Sequence, residues 1–387
     1  MVERFPIFDR ARRLEKLAGE IADPIERLRF LRCRQGLESR PEMPPPPPMP
    51  RRRSVRQWMI LTAGLIVVLA FGPVRTGTAE TLVKERRLVI PGLGSTSPVA
   101  QVQRVWRVES SDFEEQYSNG LRVDLTYAVA NRRREAFPLF PLNGGREAAM
   151  MLSAPAGIVY HITESHMAPF EEEQNRKLRQ AGRSMLEYVR KDRSYHYVID
   201  RFGRVFRIVE ESDAANHAGN SVWADARGVF VNLNNSFLSI AFEGRTDASD
   251  DVTAAQISSA KTLTEMLRSR YGIAAEDCVT HGQVSVNPQN LRIGAHTDWA
   301  GNFPFAALGL PDNYAIPVPA IYIFGFEFDR LFVQATGGHW LGLFRAEEQL
   351  ARQASSEGTD VRRYRVILQH RFKDIESALK QKSEGGI

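Results

Sequence analysis

An uncharged apolar run at residues 57–74 (QWMILTAGLIVVLAFGPV) sets the strongest limit on how this chain can fold. As a helix, at about 1.5 Å per residue, it would span about 27 Å, near the minimum for a bilayer core. Arg51, Arg52, Arg53 and Arg56 stand directly before it. Basic flanks stay on the cytoplasmic side, so the run predicts a transmembrane anchor with everything C-terminal to it outside. A buried core helix is one alternative, and a cleaved signal with TGTAE (76–80) as its cleavage site is another. The long region ahead of the run favours an anchor that is kept. An anchor at 57–74 also puts Cys33 and Cys278, the two cysteines, on opposite sides of a membrane, where they cannot pair.

Charge is divided along the same line. Residues 1–57 hold 14 Lys/Arg against 8 Asp/Glu, whereas the whole chain of 387 residues has a net charge of only +5. The rest of the chain is therefore close to neutral, which excludes a nucleic-acid-binding body with a basic surface. Residues 1–56 read as a cytoplasmic basic and proline-rich region. Its first forty residues have apolar positions at helical spacing, such as Ile21, Ile25, Leu28 and Leu31. They suit amphipathic helices that are either solvated or laid on a membrane surface or partner. Residues 41–50 (PEMPPPPPMP) form a stiff spacer or a proline-recognition ligand.

Over the whole chain, 43% hydrophobic and 25% charged residues are those of a globular protein of about two domains. No repeat of fixed period is present. Residues 82–149 read as a strand-rich extension: VWRVES (105–110) and LRVDLTYAVA (121–130) alternate as strands, with a turn at Ser118-Asn119-Gly120. Residues 311–387 hold the apolar stretch AIYIFGFEF (320–328) and a helix-like segment at 361–381, with no legible chemistry.

The chemistry is concentrated between 150 and 310. GIVYHIT (157–163) is an apolar strand ending at His161, and FLSIAFEG (237–244) is another apolar strand. SYHYVIDRFGRVFRI (194–208) predicts a hairpin turning at Arg201-Phe202-Gly203. Apolar residues at Ile257, Ala260, Leu263 and Leu267 predict a helix over 252–272. Residues 278–281 then form a short strand ending at His281, and a loop leads to Ala295-His296-Thr297-Asp298. Strand ends opening into loops are where functional groups concentrate. Two imidazoles and a carboxylate form a known zinc set with one position left for water. Zinc activates that water and polarises a carbonyl, which is what amide hydrolysis needs. Three isolated residues are a weak signal on their own, because a histidine at a strand end more often serves the fold.

The order of the segments is more specific. YHIT (160–163), YHYVIDRFGRV (195–205), NHAGNS (216–221), SIAFEG (239–244), THGQVS (280–285) and HTDWAGNFPF (296–305) follow one another in a pattern that resembles the zinc-dependent N-acetylmuramoyl-L-alanine amidases. That family includes the peptidoglycan recognition proteins and a phage lysozyme-amidase. The resemblance covers about residues 150–310. It implies an α/β fold with a central mixed β-sheet flanked by helices, and a zinc site made by His161, His281 and Asp298. It implies that Tyr195 assists catalysis and that His217 and Asn220, in the NHAGNS segment, line the substrate groove. His196, next to Tyr195, alternates to the other strand face and reads as structural.

The chain also departs from the family. One branch has a glutamate base where Ala241 stands here; Glu243, two residues on, shares that face and is the candidate replacement. The same branch has a lysine where His296 stands, and an imidazole there can donate to an oxyanion or move a proton. The usual Asp-Pro-Gly after the third ligand is Asp298-Trp299-Ala300-Gly301. The expectation is a zinc amidase acting on peptidoglycan or its fragments, held in a bacterial inner membrane and facing the periplasm. The main alternative is a non-catalytic, membrane-anchored muropeptide sensor. An unrelated metallohydrolase or a structural assembly protein is a third.

Overall fold

The computed structural model describes residues 103–143, 145, 147–246, 252–328 and 341–384. The expectations for 1–56, for Cys33 and for the apolar run at 57–74 fall outside them. Among the described residues no helix is long and apolar enough to cross a membrane.

The two longest strands, β6 (Gly157–Ile162) and β11 (Phe237–Phe242), have every residue buried. A strand apolar on both faces must be covered on both, and parallel sheets sandwiched between helices provide that cover. β6 and β11 pair in parallel, with His161 opposite Ala241. β12 (Cys278–Thr280) pairs in parallel on the other side of β6, with Thr280 opposite Tyr160. Beyond β11 lies the predicted hairpin, β7 (Tyr197–Ile199) and β8 (Val205–Arg207). It turns where expected: Gly203 has φ +79° and donates its N–H to the Asp200 carbonyl at 2.8 Å.

β1 (Arg107–Ser110), β2 (Glu114–Tyr117) and β3 (Arg122–Asp124) extend the same sheet, giving the order β1-β2-β3-β8-β7-β11-β6-β12. The sheet is mixed: β3–β8, β7–β11, β11–β6 and β6–β12 are parallel, and the other pairs antiparallel. The strand expected over 121–130 stops after Asp124, whose carboxylate takes the Thr126 N–H at 2.8 Å and turns the chain. Smaller hairpins are β4 (Phe137–Leu139) with β5 (Met150–Leu152), β9 (Val222–Asp225) with β10 (Gly228–Val231), and β13 (Val286–Asn287) with β14 (Arg292–Ile293).

Helices cover both faces of the sheet. α1 (Asn175–Asp192) lays Met185, Leu186 and Val189 on Val198, Phe206, Ile208 and Ala241. α2 (Ala254–Tyr271) lays Ala260, Leu263, Met266 and Leu267 on the opposite face, against Ile158, Tyr160, Leu238, Ile240 and Phe242. α2 begins at a Thr253–Gln256 capping box, which accounts for its sharp start. A short helix, α3 (His281–Val284), follows β12 directly. α4 (Pro319–Phe324), α5 (Leu341–Ser356) and α6 (Val361–Glu384) pack together, and α4 also rests on β9. The helix-like segment expected at 361–381 is α6. Cys278 is buried.

A buried ionic cluster fastens the early strands to the hairpin. Arg207 Nη2 on β8 lies 2.7 Å from Glu115 Oε2 on β2, and the Tyr117 hydroxyl donates to the same oxygen at 2.7 Å. Burial pushes the Glu115 carboxyl up, but the hydrogen bond and charge of Arg207 outweigh it and hold it at about 2. A carboxyl with a folded value below its unfolded one stabilises the fold above the unfolded value and loses that contribution as pH falls through the folded one. Urea unfolding is therefore expected to lose on the order of 3 kcal/mol of stability from this group between about pH 5 and pH 2. Glu115→Gln should flatten that part of the pH profile and lower stability at pH 7.

Candidate metal centre

The site follows from strand register. Because Thr280 is level with Tyr160, the next residue on each chain, His281 and His161, arrives side by side at the C-terminal edge of neighbouring parallel strands. Their ring centroids are 4.5 Å apart. The loop after β14 returns Asp298 to the same point. Its carboxylate oxygens lie 2.9 Å from His281 Nδ1 and 3.3 Å from His161 Nδ1. All three side chains are buried, and one ligand atom from each falls within 4.8 Å of the others. In a tetrahedral zinc site with bonds of about 2.0–2.1 Å, ligand atoms sit about 3.3 Å apart; the single oxygen Asp298 Oδ2 lies 3.2 Å from His281 Nδ1 and 3.3 Å from His161 Nδ1, close to two such edges.

The hydrogen-bond partners show what belongs between them. His161 Nε2 is 3.2 Å from His217 Nδ1, and His217 Nε2 is 3.3 Å from the Phe237 carbonyl. A carbonyl only accepts, so His217 carries its proton on Nε2 and its Nδ1 is bare. His161 must then donate from Nε2, which leaves its own Nδ1 bare and facing the Asp298 carboxylate. Burial, followed by the charge of His281, lowers the His161 imidazole to about 4, and burial lowers His217 as well, so both rings are neutral. Burial works against an ionised Asp298, but the charge and hydrogen bond of His281 hold its carboxyl far below the ordinary range. A bare nitrogen and a carboxylate 3.3 Å apart repel each other unless a cation lies between them. The donor set therefore fits zinc.

Two further expected residues, Tyr195 and His296, stand around this point. The Tyr195 ring is 5.1 Å from the His161 ring. Burial, then the Asp298 charge, raises its hydroxyl well above the ordinary tyrosine value, so it stays protonated. His296 is exposed and stacks on His281, with ring centroids 4.3 Å apart and 20° between planes. Its imidazole is shifted downward by desolvation and by His281. Asn220 is exposed, and its carbonyl accepts the Val286 N–H at 2.9 Å.

One expectation is corrected. Glu243 shares a face with Ala241, but its carboxylate accepts the Arg201 N–H at 3.0 Å and faces Gly182 of α1. It turns toward the β7 side of β11, whereas both histidine ligands lie toward β6 and β12. Burial raises its carboxyl. The ring nitrogens of His217, expected to line the substrate groove, lie 3.2 Å from His161 Nε2 and 3.3 Å from the Phe237 carbonyl, and the residue is half-buried. His196 is fully buried: its Nδ1 is 2.9 Å from Ser239 Oγ and its Nε2 is 2.9 Å from an Arg134 nitrogen. That is the structural role expected of it.

Residues 151–300 match the family model described as N-acetylmuramoyl-L-alanine amidase, a span that holds all three acid and imidazole groups. No curated protein matches the chain. Similar solved structures include the endolysin amidase LysCS from Clostridium intestinale, at 23% identity over 48% of this chain and 93% of that one, with a TM-score of 0.26. AmiD from E. coli, solved with anhydro-N-acetylmuramic acid-L-Ala-D-γ-Glu-L-Lys, is 23% identical over 42% of this chain and 60% of its own, with a TM-score of 0.32. AmpDH3 from Pseudomonas aeruginosa, solved with an anhydromuramic pentapeptide, is 20% identical over 49% of this chain and 77% of its own, with a TM-score of 0.31.

The tautomer chain is open to direct measurement. In zinc-loaded protein, histidine ¹⁵N spectra should show His161 and His217 each protonated at Nε2 and bare at Nδ1. His217→Ala should weaken zinc binding by about tenfold or more, because the proton on His161 loses its acceptor.

Proposed function

We propose that this chain, whose residues 151–300 match the N-acetylmuramoyl-L-alanine amidase family, is a zinc-dependent amidase of peptidoglycan or its fragments. The observation that carries this reading is the convergence of one ligand atom each from His161, His281 and Asp298 within 4.8 Å of one another. Zinc held by His161 Nδ1, His281 Nδ1 and an Asp298 oxygen would supply a Lewis acid that activates water and polarises the scissile carbonyl.

The surrounding residues have the properties the reaction needs. The bond cut is the amide between the lactyl carbonyl of N-acetylmuramic acid and the nitrogen of L-alanine. Water adds to the carbonyl carbon, and the products are a lactyl carboxylate and a free alanine amine. Negative charge grows on the carbonyl oxygen as water adds. Tyr195, kept protonated by burial, donates a hydrogen bond to that oxygen, and a donor aimed at developing charge is worth most in a buried site. His296, stacked on His281 and open to solvent, takes the proton released by water and returns it to the departing amine. Asn220, exposed in the NHAGNS segment, is the residue assigned to contact substrate.

A muropeptide sensor would bind the same ligand without turnover. The complete set of three ligands and the protonated tyrosine favour catalysis. With residues 57–74 as an anchor, the domain would work on the wall side of a bacterial inner membrane.

Purified protein incubated with peptidoglycan or soluble muropeptides should release peptides with new alanine amino termini. Chelation should stop the release, and added zinc should restore it. Tyr195→Phe should lower kcat by about 10²-fold with little change in KM. Retention on the wall without peptide release would mean a sensor rather than an enzyme.

A further inference from the structure

The backbone turns against its own preference immediately after Asp298. Trp299 has φ +56°, in the left-handed region that a bulky side chain rarely enters. Such a conformation persists only where the surroundings impose it. Here the side chain and the backbone are both held. The indole Nε1–H donates to the His161 carbonyl at 3.0 Å, a bond between residues 138 apart in sequence. The Tyr314 hydroxyl donates to the Trp299 carbonyl, and itself accepts the Phe303 N–H at 3.1 Å. The ring is 4% exposed and lies edge-on to Phe242 and Phe303.

The same loop is fixed to the third strand end. The Asp298 carbonyl accepts the Gly282 N–H at 3.0 Å, directly after His281. A Cβ at Gly282 would lie 2.8 Å from the Ala300 Cα, so the loop sits on the backbone that carries His281. Asp298 is therefore tied to the His281 segment by its own carbonyl and to the His161 strand by the residue that follows it. The aspartate has a short side chain, so the position of its carboxylate is set by where its backbone is held.

We propose that Trp299 is a positioning residue for the metal centre: its indole N–H, with the Tyr314 hydroxyl, clamps the strained backbone that presents Asp298 to His161 and His281. This rests on the zinc reading above. Releasing either bond lets residue 299 relax out of the left-handed region and moves the carboxylate away from the two imidazoles. Losing a partner that orients a ligand typically weakens metal binding by about 10–100-fold.

The test measures zinc affinity by competition with a chromophoric chelator, alongside the thermal midpoint of the metal-free protein. Trp299→Phe keeps an aromatic ring and deletes the donor. Tyr314→Phe deletes the hydroxyl. Phe303→Leu loosens the packing around the indole and leaves both hydrogen bonds in place. Trp299→Phe should bind zinc about 10–100-fold more weakly, Tyr314→Phe should fall in the same direction, and Phe303→Leu should lower the midpoint while staying within about twofold in affinity. Wild-type affinity in a folded Trp299→Phe protein, or an equal fall in Phe303→Leu, overturns the clamp. If Trp299→Phe does not fold, Tyr314→Phe decides the matter by the same criterion. A wild-type protein that takes up no zinc at all would sink the metal reading and the clamp with it, which is a different result from wild-type binding that the variants leave unchanged.

Discussion

The repulsion between one unprotonated nitrogen and one carboxylate is the constraint on which the rest depends. His161 Nδ1 is bare because the Phe237 carbonyl fixes the proton on His217, and His217 fixes the proton on His161. Without a cation, that nitrogen would face Asp298 at 3.3 Å with nothing to share. A divalent ion turns the repulsion into coordination. The centre thus has its charge demand built into neutral, buried groups, and the demand originates in a main-chain acceptor that cannot titrate.

The sheet makes this possible by bringing distant segments level. β6 and β12 run parallel and in register, so two histidines separated by 120 positions reach the same edge together. α1 and α2 cover the two faces and leave that edge to the loops. Tyr195 enters just ahead of β7 and His296 just ahead of Asp298, so different loops set one ring beside His161 and another on His281. The buried Glu115–Arg207 pair lies away from this edge, between β2 and β8, and holds the added strands to the sheet.

Much of this was legible in the sequence. Continuous apolar runs ended by histidines marked β6 and β12, and the spacing of Ile257, Ala260, Leu263 and Leu267 marked α2 almost to its bounds. The three ligands and Tyr195 were found through the order of short segments. Side-chain direction was not legible. That Glu243 shares a face with Ala241 follows from alternation, but its turn toward the Arg201 N–H depends on where a neighbouring hairpin ends. The role of His217 depends on an acceptor twenty residues on, at the start of β11. Some elements had a signal that went unread. The β9–β10 hairpin has Asp225 and Gly228 at its turn, and Leu178, Met185, Leu186 and Val189 of α1 stand at helical spacing among charged residues. Trp299 looked like a departure in a loop; only the fold shows its indole reaching the strand of the first ligand.

The central claim is that three groups surround one ion, and anomalous X-ray scattering at the zinc edge from crystals grown with zinc tests it most directly. The account predicts a single strong peak bonded to His161 Nδ1, His281 Nδ1 and an Asp298 oxygen, each at about 2.0–2.2 Å. An ion bound through His161 Nε2, a peak at another site, or no peak with these three side chains ordered would contradict it.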